Sequence, residues 1–589
     1  MSVLKRGRRT KASRVFVTVL SLAAFQVLAI IGAGVAQAAT CTYNPATDTI
    51  NITIGVDEFA AVAVETAAAD LDPESPPGAI LFDNDGLGFD DGVNSTQCGS
   101  ADNSNTVAIV VLGQPSADEN FDIDEAAGAP FNTAIVWNID LGSNTIGGID
   151  DLGINLNCDQ DNNLVLTNNS FNLNAAVGEV LGAELYDMEG CDGDDTIDAS
   201  AVTFEVNRLH GHDGDDVLSP GTADDGDVFG GADVDTLSYS TRTTGVFVDN
   251  GLEAGLDANG DGDNDDVGEE TDLIDCFEIV QTGTGNDTLT DGCGPTTFVP
   301  GDGDDDITGD GDDTIDWSSS SAAMVIDPAN ETATGQGTDD IDSITRFVGS
   351  PFDDVLLWDG STVFFSGGDG VDTVDATLQT TGQVINLDLL DGPLPFNDAD
   401  PDDLENALGG SGNDAITGND IRNQLEGNDG DDDLSGDEGN DVLIGGLGND
   451  DFTGGDGADK VSFETNAVSG VNVDVNLGFA TSSESGDDSF SDLVEIITGS
   501  PFNDSITGGG GIIAVNFLFT GGNGKDKLTG SGSNDTLKGG KGNDVLRGQE
   551  GADTLKGGKG TKDKGFGGAG TDDCTGIERP IPGGKSCEI

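Results

Sequence analysis

The sequence predicts an all-β fold, a β-solenoid in which short strands and tight turns stack many times, with a β-rich region before it. The main observation is a nine-residue period: Asp432, Asp441, Asp450 and Asp459 each follow a glycine-rich turn. The second residue after each aspartate is apolar, as Leu434 is after Asp432. Nine residues are too few for a helical repeat unit and too many for a coiled-coil heptad. They suffice for one turn and a short strand.

The repeats occur in five clusters from Gly190 onward, separated by four longer spacers with alternating apolar residues. We interpret the spacers as larger β-rungs that continue the stack. The aspartates at the sixth position of the repeats are Asp195, Asp216, Asp235, Asp287, Asp305, Asp313, Asp354, Asp372, Asp414, Asp432, Asp441, Asp450, Asp459, Asp504, Asp526, Asp535, Asp544 and Asp553. The predicted parts of the chain are a signal peptide (1–38), a β-rich N-terminal region (39–186), repeat clusters with spacers (187–462), a further spacer (463–501), the last repeat cluster (502–573) and a C-terminal cap (574–589).

The chain is strongly acidic: 111 Asp and Glu residues against 22 Lys and Arg residues give a formal net charge of −89. So many like charges repel one another in a compact molecule unless bound cations neutralise them. Because hydrophobic residues make up 35% of the chain and recur in register, we favour ordering by metal ions over disorder. Nucleic acids and anionic membranes need a basic surface and are therefore not expected as partners.

The first 38 residues have the pattern of a secretory signal. Basic residues end at Arg14, an apolar run covers residues 15–35, and Ala36-Gln37-Ala38 forms an A-x-A cleavage site. The run is long for a signal peptide, so an uncleaved membrane anchor is the alternative. Cleavage predicts a secreted, extracellular protein without a membrane segment.

Eight cysteines, an even number, follow the cleavage site. In an exported protein they suggest four disulfides, with buried free thiols as the alternative. Pairing of sequence neighbours would join Cys158 to Cys191, Cys276 to Cys293 and Cys574 to Cys587.

Residues 39–186 lack the nine-residue period. Alternating stretches such as Ile50-x-Ile52-x-Ile54 predict half-buried strands. Clusters of Asn, Asp and Gly separate these stretches. An irregular β-solenoid and a sandwich both fit this pattern. Residues 60–69 and 179–188 are the best candidates for helices.

The repeat pattern brings oxygen atoms together. Its glycines allow positive φ angles, so that a turn can curl and direct its carbonyl groups at one point, and the aspartate adds a carboxylate oxygen. Such hard oxygen ligands suit Ca²⁺, which takes about six to eight of them in flexible geometry. Mg²⁺ demands stricter octahedral geometry, and zinc needs His or Cys ligands. The pattern therefore predicts calcium bound along the stack.

These repeats resemble the repeats-in-toxin (RTX) calcium-binding repeats, G-G-x-G-x-D-x-U-x with U apolar, over residues 190–573. The fold of that family is the parallel β-roll, in which two consecutive nonapeptides form one coil and Ca²⁺ lies between the turns of neighbouring coils. The resemblance implies that Ca²⁺ is the cofactor and that the sixth-position aspartates are side-chain ligands. It also implies that carbonyl groups of turn residues such as Gly446 and Gly448 complete the ligand shell.

Several positions depart from the family pattern. Asn423 replaces an aspartate and would be a weaker, neutral ligand. Asp563 and Asp572 lack an apolar residue two positions later, so we expect the stack to fray or to be capped there. Asp305 and Asp313 are eight residues apart instead of nine, which puts one ligand register in doubt.

Other motifs give weaker signals. An acidic loop at 257–265 resembles an EF-hand loop, with Gly262 at its sixth position, and is either an extra Ca²⁺ site or a solvated turn. His210 and His212 lie in one turn, where we expect them to fill variable positions; a minor metal site is the alternative. No H-E-x-x-H or G-x-S-x-G motif occurs, and Ser or Cys hydrolases normally need a histidine base. We therefore predict that the protein is not an enzyme.

The sequence thus predicts an extracellular calcium-binding protein whose repeats fold on binding Ca²⁺, with a structural or surface-interaction role. A Ca²⁺-stiffened adhesin or surface-layer component is one alternative, and a secreted hydrolase with a catalytic N-terminal region is another. Eleven of the 22 Lys and Arg residues lie between Lys525 and Lys585, where acids are nearly as frequent. This cluster is either local charge balance or a contact surface for an acidic cell-envelope polymer or an acidic part of the same chain.

Overall fold

The computed structural model describes most of residues 190–577, together with strands between residues 40 and 189 and one short strand at 579–580. The longer gaps after residue 190 fall at 191–192, 257–271, 391–402, 484–485 and 510–514. The predicted signal peptide (1–38) and the EF-hand-like loop (257–265) lie outside the described residues.

The described residues form strands almost throughout. Strands β1 to β13 are Thr40–Asn44, Thr49–Thr53, Phe59–Val64, Ala79–Asp83, Thr96–Asp102, Ala108–Leu112, Asn120–Asp124, Val136–Asp140, Asp151–Asn155, Asn163–Thr167, Ser170–Leu173, Ala176–Leu181 and Leu185–Glu189. Strands β14 to β34 are Thr196–Ala201, Val206–Asp213, Val217–Ser219, Asp227–Ala232, Thr236–Ser238, Val246–Asp249, Glu253–Leu256, Asp272–Ile274, Ile279–Gln281, Thr288–Thr290, Thr297–Val299, Asp306–Thr308, Thr314–Asp316, Val325–Asp327, Thr332–Thr334, Thr338–Asp342, Arg346–Val348, Val355–Leu357, Phe364–Ser366, Thr373–Asp375 and Val384–Asn386. The short helix α1, Leu387–Leu390, follows β34. Strands β35 to β56 are Asn406–Leu408, Ala415–Thr417, Gln424–Asp429, Asp433–Ser435, Glu438–Gly439, Val442–Leu447, Asp451–Thr453, Asp456–Gly457, Lys460–Ser462, Val471–Asp474, Phe479–Ser482, Asp487–Phe490, Ile496–Thr498, Ser505–Thr507, Leu518–Gly524, Lys527–Thr529, Thr536–Gly542, Val545–Glu550, Thr554–Lys559, Lys564–Ala569, Asp573–Thr575 and Arg579–Pro580.

Consecutive repeats alternate between two sheets. β38 and β41 pair in parallel with Leu434 opposite Phe452, whereas β40 and β43 pair in another sheet with Leu443 opposite Val461. Equivalent residues in each sheet are 18 positions apart, so two nonapeptides make one coil of the stack. The all-β, parallel β-roll or solenoid fold predicted from the sequence is therefore confirmed.

The core lies between the sheets and is built from the eighth residue of each repeat. Leu434, Leu443, Phe452 and Val461 are all 0% exposed. Their equivalents along the stack belong to one continuous cluster of buried apolar side chains. Burying each such side chain contributes about 1.5–3 kcal/mol. Because each coil packs only on its neighbours, the chain extends without needing a larger core.

The spacers add strands at three places without interrupting the stack. β19, β20 and β21 form an antiparallel excursion, yet β19 also pairs in parallel with β23 and β21 with β17. The β27–β29 and β44–β46 segments repeat this arrangement. One sheet passes along the whole described chain, whereas the sheet that alternates with it changes identity between β32 and β34.

The N-terminal strands join the same sheets as the repeats. β13 pairs in parallel with β9 and β15, and β10 pairs in parallel with β14. This continuity favours the solenoid over the sandwich. Both helix predictions were wrong: Phe59–Val64 is a strand, and 179–188 covers the end of β12 and most of β13. Strand pairing with neighbouring rungs outweighs the helix propensity of Ala and Glu in these short segments.

One predicted disulfide is present among the described residues. Cys276 and Cys293 are bonded, with their Cα atoms 5.8 Å apart. Cys574 is also disulfide-bonded. The other two predicted pairings involve Cys158, Cys191 and Cys587, which lie outside the described residues. In the part of the chain that the structure covers, no helix has the length and apolar character of a membrane span.

Candidate calcium centre

Each sixth-position aspartate is the last turn residue before a strand, and its side chain points into the stack. All 18 predicted aspartates are at most 3% exposed, among them Asp432 at 2% and Asp441 at 1%. Burying ionised carboxylates costs several kcal/mol each unless charge and hydrogen bonds compensate. The turns must therefore supply partners for these groups.

One oxygen of each carboxylate links neighbouring coils. The Asp432 N–H donates to Asp450 Oδ1 at 3.0 Å, and the Asp414 N–H donates to Asp432 Oδ1 at 2.8 Å. In the other sheet, the Asp441 N–H donates to Asp459 Oδ1 at 3.0 Å. We call these series of bonds carboxylate ladders. They fix the register of the coils and use one of the two carboxylate oxygens.

The second oxygen of many of these carboxylates is buried without a hydrogen-bond partner among the described residues. This holds for Oδ2 of Asp216, Asp287, Asp305, Asp372, Asp432, Asp441, Asp459, Asp504, Asp526, Asp544 and Asp553. Buried polar atoms in native proteins are nearly always paired, so a recurring unpaired oxygen indicates a site that would hold a cation. Its recurrence at equivalent turns makes it a property of the repeat.

A backbone carbonyl converges on the same point. A Cβ atom on Gly427 would collide with Asp432 Oδ2 and would lie 2.8 Å from the carbonyl oxygen of Gly445 in the next coil. Gly539 shows the same arrangement, with Asp544 Oδ2 at 2.5 Å and the Gly557 oxygen at 2.7 Å from the Cβ position. The first glycine is needed in these two repeats because any side chain would fill the space toward which both oxygens point.

The glycines at the second and fourth positions of the repeat allow the coils to approach closely. Gly446 and Gly448 have φ angles of 115° and 142°, and a Cβ on either would collide with a carbonyl of the coil below. The sequence named these two residues as carbonyl ligands. The structure places the carbonyl of Gly445, which sequence reasoning missed, next to the Asp432 carboxylate. Which carbonyl meets which carboxylate depends on the register between coils, and the repeat pattern alone does not give that register.

Burial raises the pKa of these aspartates in the metal-free fold. It raises the pKa of Asp305 and Asp372 to about 8, and the pKa of Asp432 and Asp526 to about 7, although backbone hydrogen bonds oppose the rise. Neighbouring carboxylates raise these values further. The ionised ladder is thus unfavourable at neutral pH without a countercharge.

The donor set fits Ca²⁺. It consists of carboxylate and carbonyl oxygens only, which are the ligands of hard cations, and these oxygens converge at turns such as those of Asp432 and Asp544. The unpaired Oδ2 atoms and the backbone carbonyls would hold the ion. When bound, Ca²⁺ supplies two positive charges at the place where the fold buries negative charge.

In a second kind of turn, groups of the turn itself donate hydrogen bonds to the second carboxylate oxygen. The Ser531 N–H donates to Asp535 Oδ2 at 2.6 Å, and the Ser531 hydroxyl lies 3.2 Å from the same oxygen. The Gly410 N–H donates to Asp414 Oδ2 at 2.7 Å. These second-position residues lack the positive φ of Gly446, so their N–H groups point at the carboxylate. Such turns depend less on a cation than the turn at Asp432.

At Asn423 an uncharged side chain replaces the aspartate, and its amide is fully hydrogen-bonded. Its Oδ1 accepts the Asn419 N–H at 2.8 Å, while its Nδ2 donates to the Leu404 carbonyl at 3.0 Å and to Asn419 Oδ1 at 2.8 Å. The amide thus has both a donor and an acceptor paired at a site where an aspartate would leave an oxygen unpaired.

The ladders are longer than the sequence predicted because acids in the spacers continue them. The Asp450 N–H donates to Asp488 Oδ1 at 3.1 Å. Asp225, Asp272, Asp339, Glu278, Glu405 and Glu495 take equivalent places. No repeat motif surrounds most of these residues. For Glu278, Glu405 and Glu495 the signal that could have found them is an acid directly before a short strand, whereas Asp272, Asp339 and Asp488 lie within strands.

The irregular repeats keep their places in the ladders, and of the fraying or capping expected at Asp563 and Asp572 only the fraying is contradicted. The stack does not fray at Asp563 and Asp572, because Asp544 and Asp553 donate their N–H groups to these carboxylates at 2.9 and 3.1 Å. The eight-residue spacing from Asp305 to Asp313 also keeps both residues in register: Asp305 Oδ1 accepts from Asp287 at 2.8 Å, and Asp313 Oδ1 accepts from Thr296 at 2.9 Å. A shorter turn absorbs the missing residue.

The two histidines lie on strand β15 and its turn. His212 has a φ of 88° and a nitrogen 4.0 Å from Glu189, while the His210 ring packs edge-on against Phe229 at 4.9 Å. Burial lowers the pKa of His210 to about 4. Both therefore occupy ordinary positions of the repeat, as expected from the sequence.

A matched pair of substitutions tests the ladder. Asp432→Asn keeps the shape and the Oδ1 acceptor but removes the charge at the cation site. In the presence of Ca²⁺ we therefore expect the loss of at least one bound ion and of about 1–3 kcal/mol of stability. Asp433→Asn makes the same charge change on the next residue, which is exposed, and should alter neither quantity. Calorimetric Ca²⁺ titration and thermal unfolding measure both. Equal effects of the two substitutions would contradict the assignment.

Comparison with known families agrees with this geometry. A family model for four copies of the RTX calcium-binding nonapeptide repeat matches residues 426–461, 491–511 and 520–555. No curated protein matches the chain. The matched segments contain the ladder residues Asp432 to Asp459 and Asp526 to Asp553. Over these residues the chain contains RTX calcium-binding nonapeptide repeats, which supports Ca²⁺ as the ion that it binds.

Proposed function

We propose that this calcium-binding protein acts outside the cell as a non-catalytic structural element, with a surface-interaction role. The observation that carries the proposal is the carboxylate ladder, which runs from Asp195 to Asp572 and buries negative charge at nearly every coil. A fold of this kind needs a steady supply of Ca²⁺. Extracellular modules bind Ca²⁺ at roughly 10⁻⁴–10⁻³ M, and the N-terminal signal pattern agrees with export.

A structural role is further supported by how the side chains are used. The acids of the repeats are engaged in ladders between coils, and the two histidines of the chain occupy repeat positions. A rod of stacked coils suits an adhesin or a surface-layer component. A hydrolase would need its catalytic groups in the N-terminal region.

Retention on cell envelopes tests the role. The mature chain is mixed with envelopes of the producing cells in millimolar Ca²⁺ or in chelator, and the sedimenting fraction is measured. We expect sedimentation in Ca²⁺ and release by the chelator. Protein that stays in the supernatant under both conditions would contradict a surface role. Release of reducing sugar ends from envelope polysaccharide would instead indicate the hydrolase.

A further inference from the structure

An open groove runs along the turns of the last repeat cluster. It has a volume of about 410 Å³ and is lined by Glu464, residues 499–501, 522–523, 540–541 and 558–559. These residues occupy the first three positions of successive turns on one sheet. The groove therefore follows the axis of the stack across several coils.

The lining repeats with the period of the coils. Strands β49, β51 and β53 pair in register, so that Gly522, Gly540 and Gly558 are aligned, and Asn523, Lys541 and Lys559 are aligned beside them. Neighbouring strands lie about 4.8 Å apart, which sets the spacing of the two lysines. The glycines leave a floor of backbone without side chains.

The lysines of this groove are not paired with acids among the described residues. Lys541 and Lys559 are exposed, and a second aligned pair, Lys538 and Lys556, lies on the same two strands. Within the part of the chain that the structure describes, no ion pair joins Lys541 or Lys559 to an acid. Like charges directly opposite each other on neighbouring strands are destabilising. If the lysine cluster served only to balance local charge, acids would be expected opposite these lysines on the neighbouring strands.

The groove is lined by exposed lysines although the chain has a net charge of −89. Asp526 and Asp544, at the ends of two of its turns, are 1% and 0% exposed and belong to the ladders, where Ca²⁺ would neutralise them. Glu464 is the acid in its lining. With calcium bound, the groove presents a row of positive charge beside the exposed amide group of Asn523.

We propose that this groove binds a linear carboxylate-bearing polysaccharide, lying along the stack axis with its acid groups on Lys541 and Lys559. The regular spacing of the lysines suits a polymer with regularly spaced charges, and the exposed amide of Asn523 suits sugar hydroxyls. Nucleic acid fits less well because phosphate backbones need a broad basic footprint, and the rest of the chain is acidic. The inference deepens the proposed surface role and rests on it, because it names the partner.

The test uses the mature chain at constant millimolar Ca²⁺, with a short oligogalacturonate as the probe, measured by calorimetry. The Lys541→Gln/Lys559→Gln double variant should weaken binding at least about tenfold, equivalent to about 1.4 kcal/mol. The matched control is Lys527→Gln/Lys564→Gln, which removes the same charge from exposed lysines of the other sheet and should change affinity less than about twofold.

The outcomes separate the alternatives. No binding by the unmodified chain, or equal loss in both double variants, would overturn the proposal. Binding that is insensitive to the groove lysines would assign recognition to bridging Ca²⁺ instead, and stronger binding of a single-stranded oligonucleotide would overturn the choice of polymer. Circular dichroism of each variant in Ca²⁺ and in chelator shows whether the calcium-dependent fold is intact. Failure of that fold would refute the proposed function, whereas an intact fold without binding would refute the groove alone.

Discussion

Removing Ca²⁺ at neutral pH should abolish most of the β-structure of residues 190–577. The metal-free fold would have to bury ionised carboxylates at nearly every coil, with one oxygen of many of them unpaired. Each unpaired charged group costs about 1–3 kcal/mol or more. The summed cost of about a dozen such groups exceeds the typical net stability of a domain, which is about 5–15 kcal/mol. Binding free energy of the metal therefore becomes folding free energy. Far-ultraviolet circular dichroism of the mature chain in chelator should show little β signal, and excess Ca²⁺ should restore it.

Two controls make this result specific. Equimolar Mg²⁺ should restore much less signal, because it demands octahedral geometry and retains its water. Sodium chloride at matched ionic strength should also restore little, because screening acts weakly on buried charges. An unchanged β signal in chelator would show that hydrogen bonds between the coils hold the fold without metal.

The nine-residue period was sufficient to predict the stack and the aspartates that line it. Asp432, Asp441 and their equivalents could be found because turn, ligand and core residue recur at fixed offsets. The same period placed Leu434 and Phe452 in the core. These features depend on local sequence, which is why sequence reasoning recovered them.

The missed features depend on contacts between coils. Asp488 and Glu495 join the ladders only because the spacer returns the chain to the next rung, and their surroundings do not match the repeat. The Gly445 carbonyl lies beside the Asp432 carboxylate because the next coil stacks on the coil of Asp432. The segment at 179–188 formed strands instead of a helix because parallel neighbours on the sheet were available to it.

Acid should partly replace calcium. Burial raises the pKa of Asp305 and Asp372 to about 8 and that of Asp432, Asp441 and Asp450 to about 7, whereas an unfolded aspartate titrates near about 3.9. Because the folded pKa values are the higher ones, the metal-free fold binds more protons than the unfolded chain between about pH 4 and pH 8. The stability from these groups is fully present below about pH 4 and is lost as the pH rises through about 7–8. Metal-free protein should therefore gain β signal on acidification from pH 8 to about pH 4.

The same protons compete with Ca²⁺, so its affinity should fall as the pH drops from about 8 to about 5. The two effects have opposite signs, which distinguishes protonation of the ladder from a general loss of charge repulsion. Asp432→Asn removes one titrating group, so the metal-free variant should show slightly more β signal at neutral pH but bind less Ca²⁺. Asp433→Asn should leave both the β signal and the Ca²⁺ binding unchanged at every pH. Light scattering must stay constant, so that aggregation near the isoelectric point is not mistaken for folding. A metal-free chain that shows no β signal at any pH would mean that neutralising the carboxylates is insufficient and that the coordination bonds of Ca²⁺ are themselves required to join the coils.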